Sequence, residues 1–213
     1  MLAVNSPGGI VSGCFDCADT IFEARASKTV EAVADEFAYS AAYALASSAS
    51  RLTVARTGGV GSIGVLATHM EMSRALDESG VTVTLVYAGE RKTDGHPAIP
   101  LSDEARARMQ ERADALHQIF VSTVARNRGL DEEAVRATEA SLYMAPQAIE
   151  IGLADAVGSL DSLSAYADPS DNNDEDEEMS KNDTPAADEA VTPDALAQAR
   201  AEGLREGQAQ GAE

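Results

Sequence analysis

Val30-Glu31-Ala32-Val33-Ala34-Asp35-Glu36-Phe37-Ala38-Tyr39-Ser40-Ala41-Ala42-Tyr43-Ala44-Leu45-Ala46-Ser47-Ser48 is the stretch whose reading decides the fold. Residues 30–34 read as a short strand. They lead through a loop to Ser40, and residues 40–48 read as a helix built of small side chains. Working outward, the same alternation continues. Leu2-Ala3-Val4 looks like the end of a strand, followed by the turn Asn5-Ser6-Pro7-Gly8-Gly9 and a helix over about 13–26. Downstream come a strand at 51–55, a glycine-rich turn at 58–64 and a segment at 81–87 that alternates β-branched and apolar residues, the clearest strand signal in the chain. Ser102 caps a long helix with Asp103 and Glu104 in its first turn, ending at Gly129, and a further helix starts near Asp131. Strands alternating with helices define an α/β domain over 1–167.

The composition changes at Asp168. From there to Glu213 the chain carries 14 acidic against three basic residues, a net −11 of the total −20. The run Asp171-Asn172-Asn173-Asp174-Glu175-Asp176-Glu177-Glu178 has no apolar side chain to offset its ordering entropy, so a disordered acidic tail is expected over 168–213. Residues 192–208 retain a weak helical pattern, which leaves room for an arm that folds in an assembly. The charge argues against nucleic acid as a partner, because binding it needs Lys and Arg to displace counterions. No run of 18 apolar residues is present, and the first residues lack a basic segment followed by an apolar one. Cys14 and Cys17 form one C-x-x-C, and His69, His96 and His117 are scattered singly, so no metal set is expected and the two thiols read as reduced helix cysteines.

A serine hydroxyl needs an adjacent base to act as a nucleophile at neutral pH. Of the three lysines, Lys181 falls in the acidic tail and Lys28 in a polar connection, which leaves Lys92 in Tyr87-Ala88-Gly89-Glu90-Arg91-Lys92-Thr93. Burial and a nearby cation lower a lysine pKa toward what a base requires, and Arg91 is the candidate neighbour. Ser40 opens a helix, so the Ala41 N–H can face a developing oxyanion, and Gly8 and Gly9 can bring further backbone N–H groups close. In Gly61-Ser62-Ile63-Gly64, Ser62 either holds the lysine in register or simply packs. Each of these residues taken alone has an ordinary structural explanation: a cap, a turn, a solvated lysine. Together they point to a Ser-Lys hydrolase.

Several motifs in order carry a family resemblance: Asn5-Ser6-Pro7-Gly8-Gly9, Tyr39-Ser40-Ala41-Ala42-Tyr43, Gly58-Gly59-Val60-Gly61-Ser62-Ile63-Gly64-Val65, Tyr87-Ala88-Gly89-Glu90-Arg91-Lys92, Val124-Ala125-Arg126-Asn127-Arg128-Gly129-Leu130 and Ile151-Gly152-Leu153-Ala154-Asp155. From about Leu2 to Leu163 the chain resembles the S49 serine peptidases, the signal peptide peptidase A family on the ClpP/crotonase-like fold, and most of all their phage lambda protein C-type head-maturation branch. The resemblance implies Ser40 as nucleophile, Lys92 as base, Ser62 supporting the lysine, and oxyanion donors at Gly8, Gly9 and Ala41. It implies no cofactor and no metal. It further implies scaffold, capsid or portal-associated proteins as substrates, a homo-oligomer in which the lysine acts in cis or in trans, and work inside phage proheads in the host cytoplasm. The family carries more sheet upstream of the Ser-Pro-Gly-Gly turn, so the domain is expected to lack those strands. Alternatives with the same resemblance are a membrane-associated cellular signal peptide peptidase and a catalytically inert assembly protein. An acyl-CoA enzyme of the crotonase type shares the fold but has no need of a Ser-Lys pair.

Overall fold

The computed structural model describes residues 1–161. The chain divides into two units, Met1–Asp171 and Asn172–Glu213. The described residues all belong to the first, and the expected acidic tail at 168–213 lies outside them.

The elements follow in the order β1 (Leu2–Ser6), α1 (Cys14–Ala24), β2 (Glu31–Tyr39), α2 (Ala41–Ser47), β3 (Arg51–Val54), β4 (Gly59–Gly61), α3 (Ser73–Glu78), α4 (Asp103–Arg128), α5 (Glu132–Arg136), β5 (Leu142–Met144), α6 (Ala145–Glu150) and β6 (Ala156–Val157). A 3-10 turn at Glu90–Thr93 lies between α3 and α4. The fold is mixed α/β, as the alternation of residues 1–161 dictates. Its six strands form one sheet organised around β2. Along one edge β2 pairs in parallel with β1, Leu2 opposite Ala32 and Val4 opposite Ala34. Along the other edge the first half of β2 pairs in parallel with β3 and its second half with β4, Ala34 opposite Val54 and Tyr39 opposite Gly61. Beyond these lie β6, parallel to β3, and β5, antiparallel to β4.

Burial explains why β2 sits centrally. Ala32, Val33, Ala34 and Ala38 are all fully buried, the near-continuous apolar run expected of a strand covered on both faces. Helix α2 buries Ala42, Tyr43, Ala44 and Ala46, and its small side chains let it lie close against the sheet and against α1 and α4. Leu52, Val54 and Val60 of the sheet and Ile63 just past β4 meet Phe120, Val121 and Val124 of α4 and Leu153 in one core. The rings of Phe15 and Phe120 close it between α1 and α4, 5.7 Å apart in a tilted arrangement.

The long helix matches its sequence signals: Ser102 Oγ accepts from the Ala105 N–H at 3.1 Å, and Gly129 takes the left-handed cap. Three expectations are corrected. The strand at 30–34 extends to Tyr39, and the glycine-rich stretch at 58–64 holds strand β4 as well as turns. The clearest predicted strand, 81–87, is not a strand. Alternation makes a segment suited to a pleated surface, but a strand exists only where a neighbour accepts its hydrogen bonds. Among the described residues no strand pairs with this segment: the Val81 N–H donates to the Leu76 carbonyl of α3 at 2.9 Å, and Val81, Val83, Val86 and Tyr87 stand exposed.

Candidate active site

Ser40 occupies the corner where β2 ends and α2 begins. Its backbone is at φ +52°, ψ −126°, in the left-handed half of the map where residues with a Cβ are strained. The corner is held from both sides. The Ser40 N–H donates to the Gly61 carbonyl at 2.9 Å, and its own carbonyl accepts from the N–H groups of Tyr43 and Ala44 at 2.8 and 3.0 Å. The hydroxyl does not cap the helix that follows. A serine usually takes that task at a helix start, so this hydroxyl is left over for something else.

Gly8 lies directly against this corner. It has φ +112°, and a Cβ there would stand 2.7 Å from Ser40 Cβ, 2.9 Å from the Tyr39 carbonyl oxygen and 3.2 Å from the Ala41 nitrogen. Only a glycine fits. The turn is set by Ser6, whose Oγ accepts from the Gly8 N–H at 3.2 Å. Gly9 is exposed, with open space where a Cβ would be, so of the two predicted glycines only Gly8 is pinned to the serine. Ser62 follows Gly61, the residue bonded to Ser40. It too has a positive φ, +56°, and its N–H donates to the Ser141 carbonyl at 2.9 Å. Ser40, Gly8, Ala41 and Ser62 are thus brought to one place by β1, β2, α2 and β4.

Lys92 is not joined to them. It lies exposed in the 3-10 turn, its N–H donating to Gly89 at 3.0 Å, and its ammonium makes no hydrogen bond or ion pair among the described residues. It lines a separate shallow hollow with Ala88, Gly89, Glu90 and Arg91.

A cleft of about 650 Å³ opens beside the corner, its wall formed in part by Leu2, Val4, Gly8, Cys14, Ala41 and Leu45. It is largely apolar and floored by β1, an edge strand of the sheet among the described residues. The sequence reading missed Cys14 here. Its thiol donates to the Ala41 carbonyl at 3.6 Å, and burial, with a lesser push from neighbouring Cys17, raises its pKa. The C-x-x-C spacing was visible, but nothing in the sequence linked it to Ser40.

Behind the corner α2 is anchored by buried polar groups. The Asn127 side-chain amide donates to Ser47 Oγ at 3.1 Å and Ser48 Oγ at 2.8 Å, and Tyr43 Oη donates to the Leu153 carbonyl at 2.9 Å. Arg128 donates to both carboxylate oxygens of Asp155 at 2.8 and 2.7 Å and through Nε to the Gly152 carbonyl at 3.0 Å. The same carboxylate accepts from the Leu52 N–H at 2.7 Å. Burial pushes the Asp155 carboxyl up, but Arg128, the Leu52 amide and Arg51 together outweigh it and hold its pKa below the usual range. Asn127 and the Leu153 carbonyl thus hold α2, while Arg128 and Asp155 tie the end of α4 to β3. Among the described residues there is no cluster of three or more His, Cys, Asp or Glu able to hold a metal, and no helix long and apolar enough to cross a membrane.

The chain is 42% identical over 172 residues to the capsid assembly protease C of Escherichia phage lambda, a match covering 80% of this chain and 39% of that protein. It is 42% identical over 168 residues to the head-tail preconnector protein GP5 of Enterobacteria phage P21, covering 78% of this chain and 34% of that protein. The chain thus spans well under half the length of each of these two relatives. The model of peptidase family S49 matches residues 23–172, which take in β2, the Ser40 corner, β4 and the Lys92 turn. With that match over most of its length, this chain belongs to peptidase family S49.

Proposed function

We propose that the chain is a serine endopeptidase with a Ser40–Lys92 dyad that cleaves scaffold and capsid-associated proteins during phage head assembly. The observation that carries the reading is the Ser40 corner: a strained, non-capping serine with Gly8 packed against it and the Ala41 N–H beside it. Strain of this kind costs on the order of 1–3 kcal/mol and persists where the surroundings over-determine it, as they do here through Gly61, Tyr43 and Ala44. The 42% identity to two phage head proteins supports the assembly role over a cellular signal peptide peptidase. The sheet order and the β2–α2 corner are consistent with the ClpP/crotonase-like fold. The domain would then span 1–167, followed by the acidic tail.

In this reading Lys92 takes the Ser40 proton as Oγ attacks the scissile carbonyl. The oxyanion is received by the Ala41 N–H and the Gly8-Gly9 turn, Lys92 protonates the leaving amine, and water releases the acyl group. The substrate lies extended along the cleft and pairs with the open edge of β1. Ser62 holds the lysine. No hydrogen bond joins Lys92 to Ser40 among the described residues, which favours a base supplied by a second copy over one acting in cis. The exposed apolar run Val81, Val83, Val86 and Tyr87, immediately before Lys92, is the docking element of that homo-oligomer. No cofactor is needed, and the work takes place inside proheads in the host cytoplasm.

Mass spectrometry of the full chain and its Ser40→Ala variant, each incubated with a scaffold protein, tests the reading. Wild type should release defined fragments by a Ser40-dependent cut. Identical fragments from both proteins would remove Ser40 from the chemistry.

A further inference from the structure

The two cysteines serve no purpose in the peptidase reading, yet both line the cleft. Cys14 is the first residue of α1 and Cys17 lies one turn on, its N–H donating to the Gly13 carbonyl at 3.1 Å. Residues three apart on a helix share a face, and their Cα separation of about 5 Å falls inside the range a disulfide requires, about 4.4–6.8 Å. The two thiols differ in access: Cys17 is exposed and Cys14 is buried. Both are part of the wall of the 650 Å³ cleft that also touches Gly8 and Ala41. The Cys14 thiol contacts the carbonyl of Ala41, the residue that follows Ser40.

We propose that Cys14 and Cys17 form a dithiol site in the cleft wall that takes a low-molecular-weight disulfide, such as oxidised glutathione, and closes to an intramolecular disulfide that obstructs the Ser40 corner. The consequence for the corner rests on the peptidase reading above; the thiol chemistry does not. Cys17, being exposed, attacks the small disulfide as its thiolate. A Cys17–glutathione disulfide forms, and one glutathione leaves and takes up a proton. Cys14 then loses its proton and attacks the Cys17 sulfur, expelling the second glutathione. The two protein thiols are oxidised by two electrons, and one small disulfide is reduced to two thiols. Cys14, one turn before Cys17 at the start of the same helix, supplies the second thiol.

Closure has a local consequence. Helical neighbours three apart have Cβ atoms about 5–6 Å from each other, whereas a disulfide needs about 3.5–4.5 Å, so the first turn of α1 must tighten. Cys14 Sγ turns toward Cys17 and leaves the Ala41 carbonyl, and the cleft loses the shape that α1 and α2 give it at Gly8.

The test titrates the full chain with rising ratios of oxidised to reduced glutathione and reads intact mass. Wild type should convert to a species lighter by two hydrogens. Cys17→Ser should not, and Cys14→Ala should stop at one glutathione adduct on Cys17. A wild type that accumulates the adduct without losing two hydrogens, or whose thiols stay unmodified, overturns the dithiol site. A second readout is the rate at which Ser40 is labelled by a peptidyl fluorophosphonate, which should fall severalfold on oxidation in wild type and stay unchanged in Cys17→Ser. Equal rates in oxidised and reduced wild type overturn the obstruction. Absence of Ser40 labelling in the reduced protein contradicts the peptidase reading instead, and the mass result still decides the thiol chemistry.

Discussion

At Ser40 the demands of folding and of chemistry pull apart. A backbone at φ +52°, ψ −126° favours glycine, and the hydroxyl gives nothing back as a helix cap. Ser40→Gly should therefore relieve strain of about 1–3 kcal/mol, less about 0.5–1 kcal/mol for the added freedom of the unfolded chain. The expected outcome is a protein about 1 kcal/mol more stable by urea unfolding but without peptidase activity. Gly8→Ala should act in the opposite direction. Its Cβ would collide with Ser40 Cβ and the Tyr39 carbonyl at a φ of +112°, so both stability and activity should fall. Of the site, the identity of Ser40 and its glycine partner was legible from the order of motifs. The strain was not, because φ is set by the Gly61 and Tyr43 hydrogen bonds, which sequence does not display. The contact of Cys14 with the Ala41 carbonyl was hidden for the same reason: it depends on α1 and α2 packing side by side.

At the scale of elements, a charged clasp ties the end of α4 to β3 and to the turn before β6. The Arg128 side chain is 7% exposed and Asp155 36%, so the pair is partly dry. Because the Asp155 pKa is held below its unfolded value, its contribution is complete above the ordinary carboxylate pKa of about 3.9 and is lost as pH falls through the folded value. Asp155→Asn should thus destabilise the protein at pH 7 by on the order of 2 kcal/mol, the scale of hydrogen bonds to a charged group. The gap between variant and wild type should narrow below about pH 4 in denaturant titrations. Elements with strong local signals, α4 with its Ser102 cap and Gly129 stop, were readable in advance. The segment at 81–87 was misread because its pattern describes a surface seeking a partner, and the partner is a matter of tertiary or quaternary structure. The two- and three-residue strands β5 and β6 carry too few residues for any period to register.

At the scale of the whole molecule, a net charge of −20 opposes association while an exposed apolar arm favours it. Val86 is 94% exposed and Tyr87 55%, next to the turn that bears Lys92. If a second copy supplies the base, two dead variants should rescue each other. Ser40→Ala mixed with Lys92→Ala should regain a fraction of wild-type cleavage, and adding Val86→Asp to both should abolish the rescue and shift sedimentation toward monomer. Association should strengthen with added salt as repulsion is screened.

The central claim is that Ser40 is the nucleophile, and covalent capture tests it most directly. The assembled chain is treated with a peptidyl fluorophosphonate, digested and mapped by mass spectrometry. One adduct per chain on Ser40, absent in Ser40→Ala and slowed by orders of magnitude in Lys92→Ala, is the predicted result. An adduct on another residue, or labelling of Ser40 at the same rate without Lys92, would contradict it.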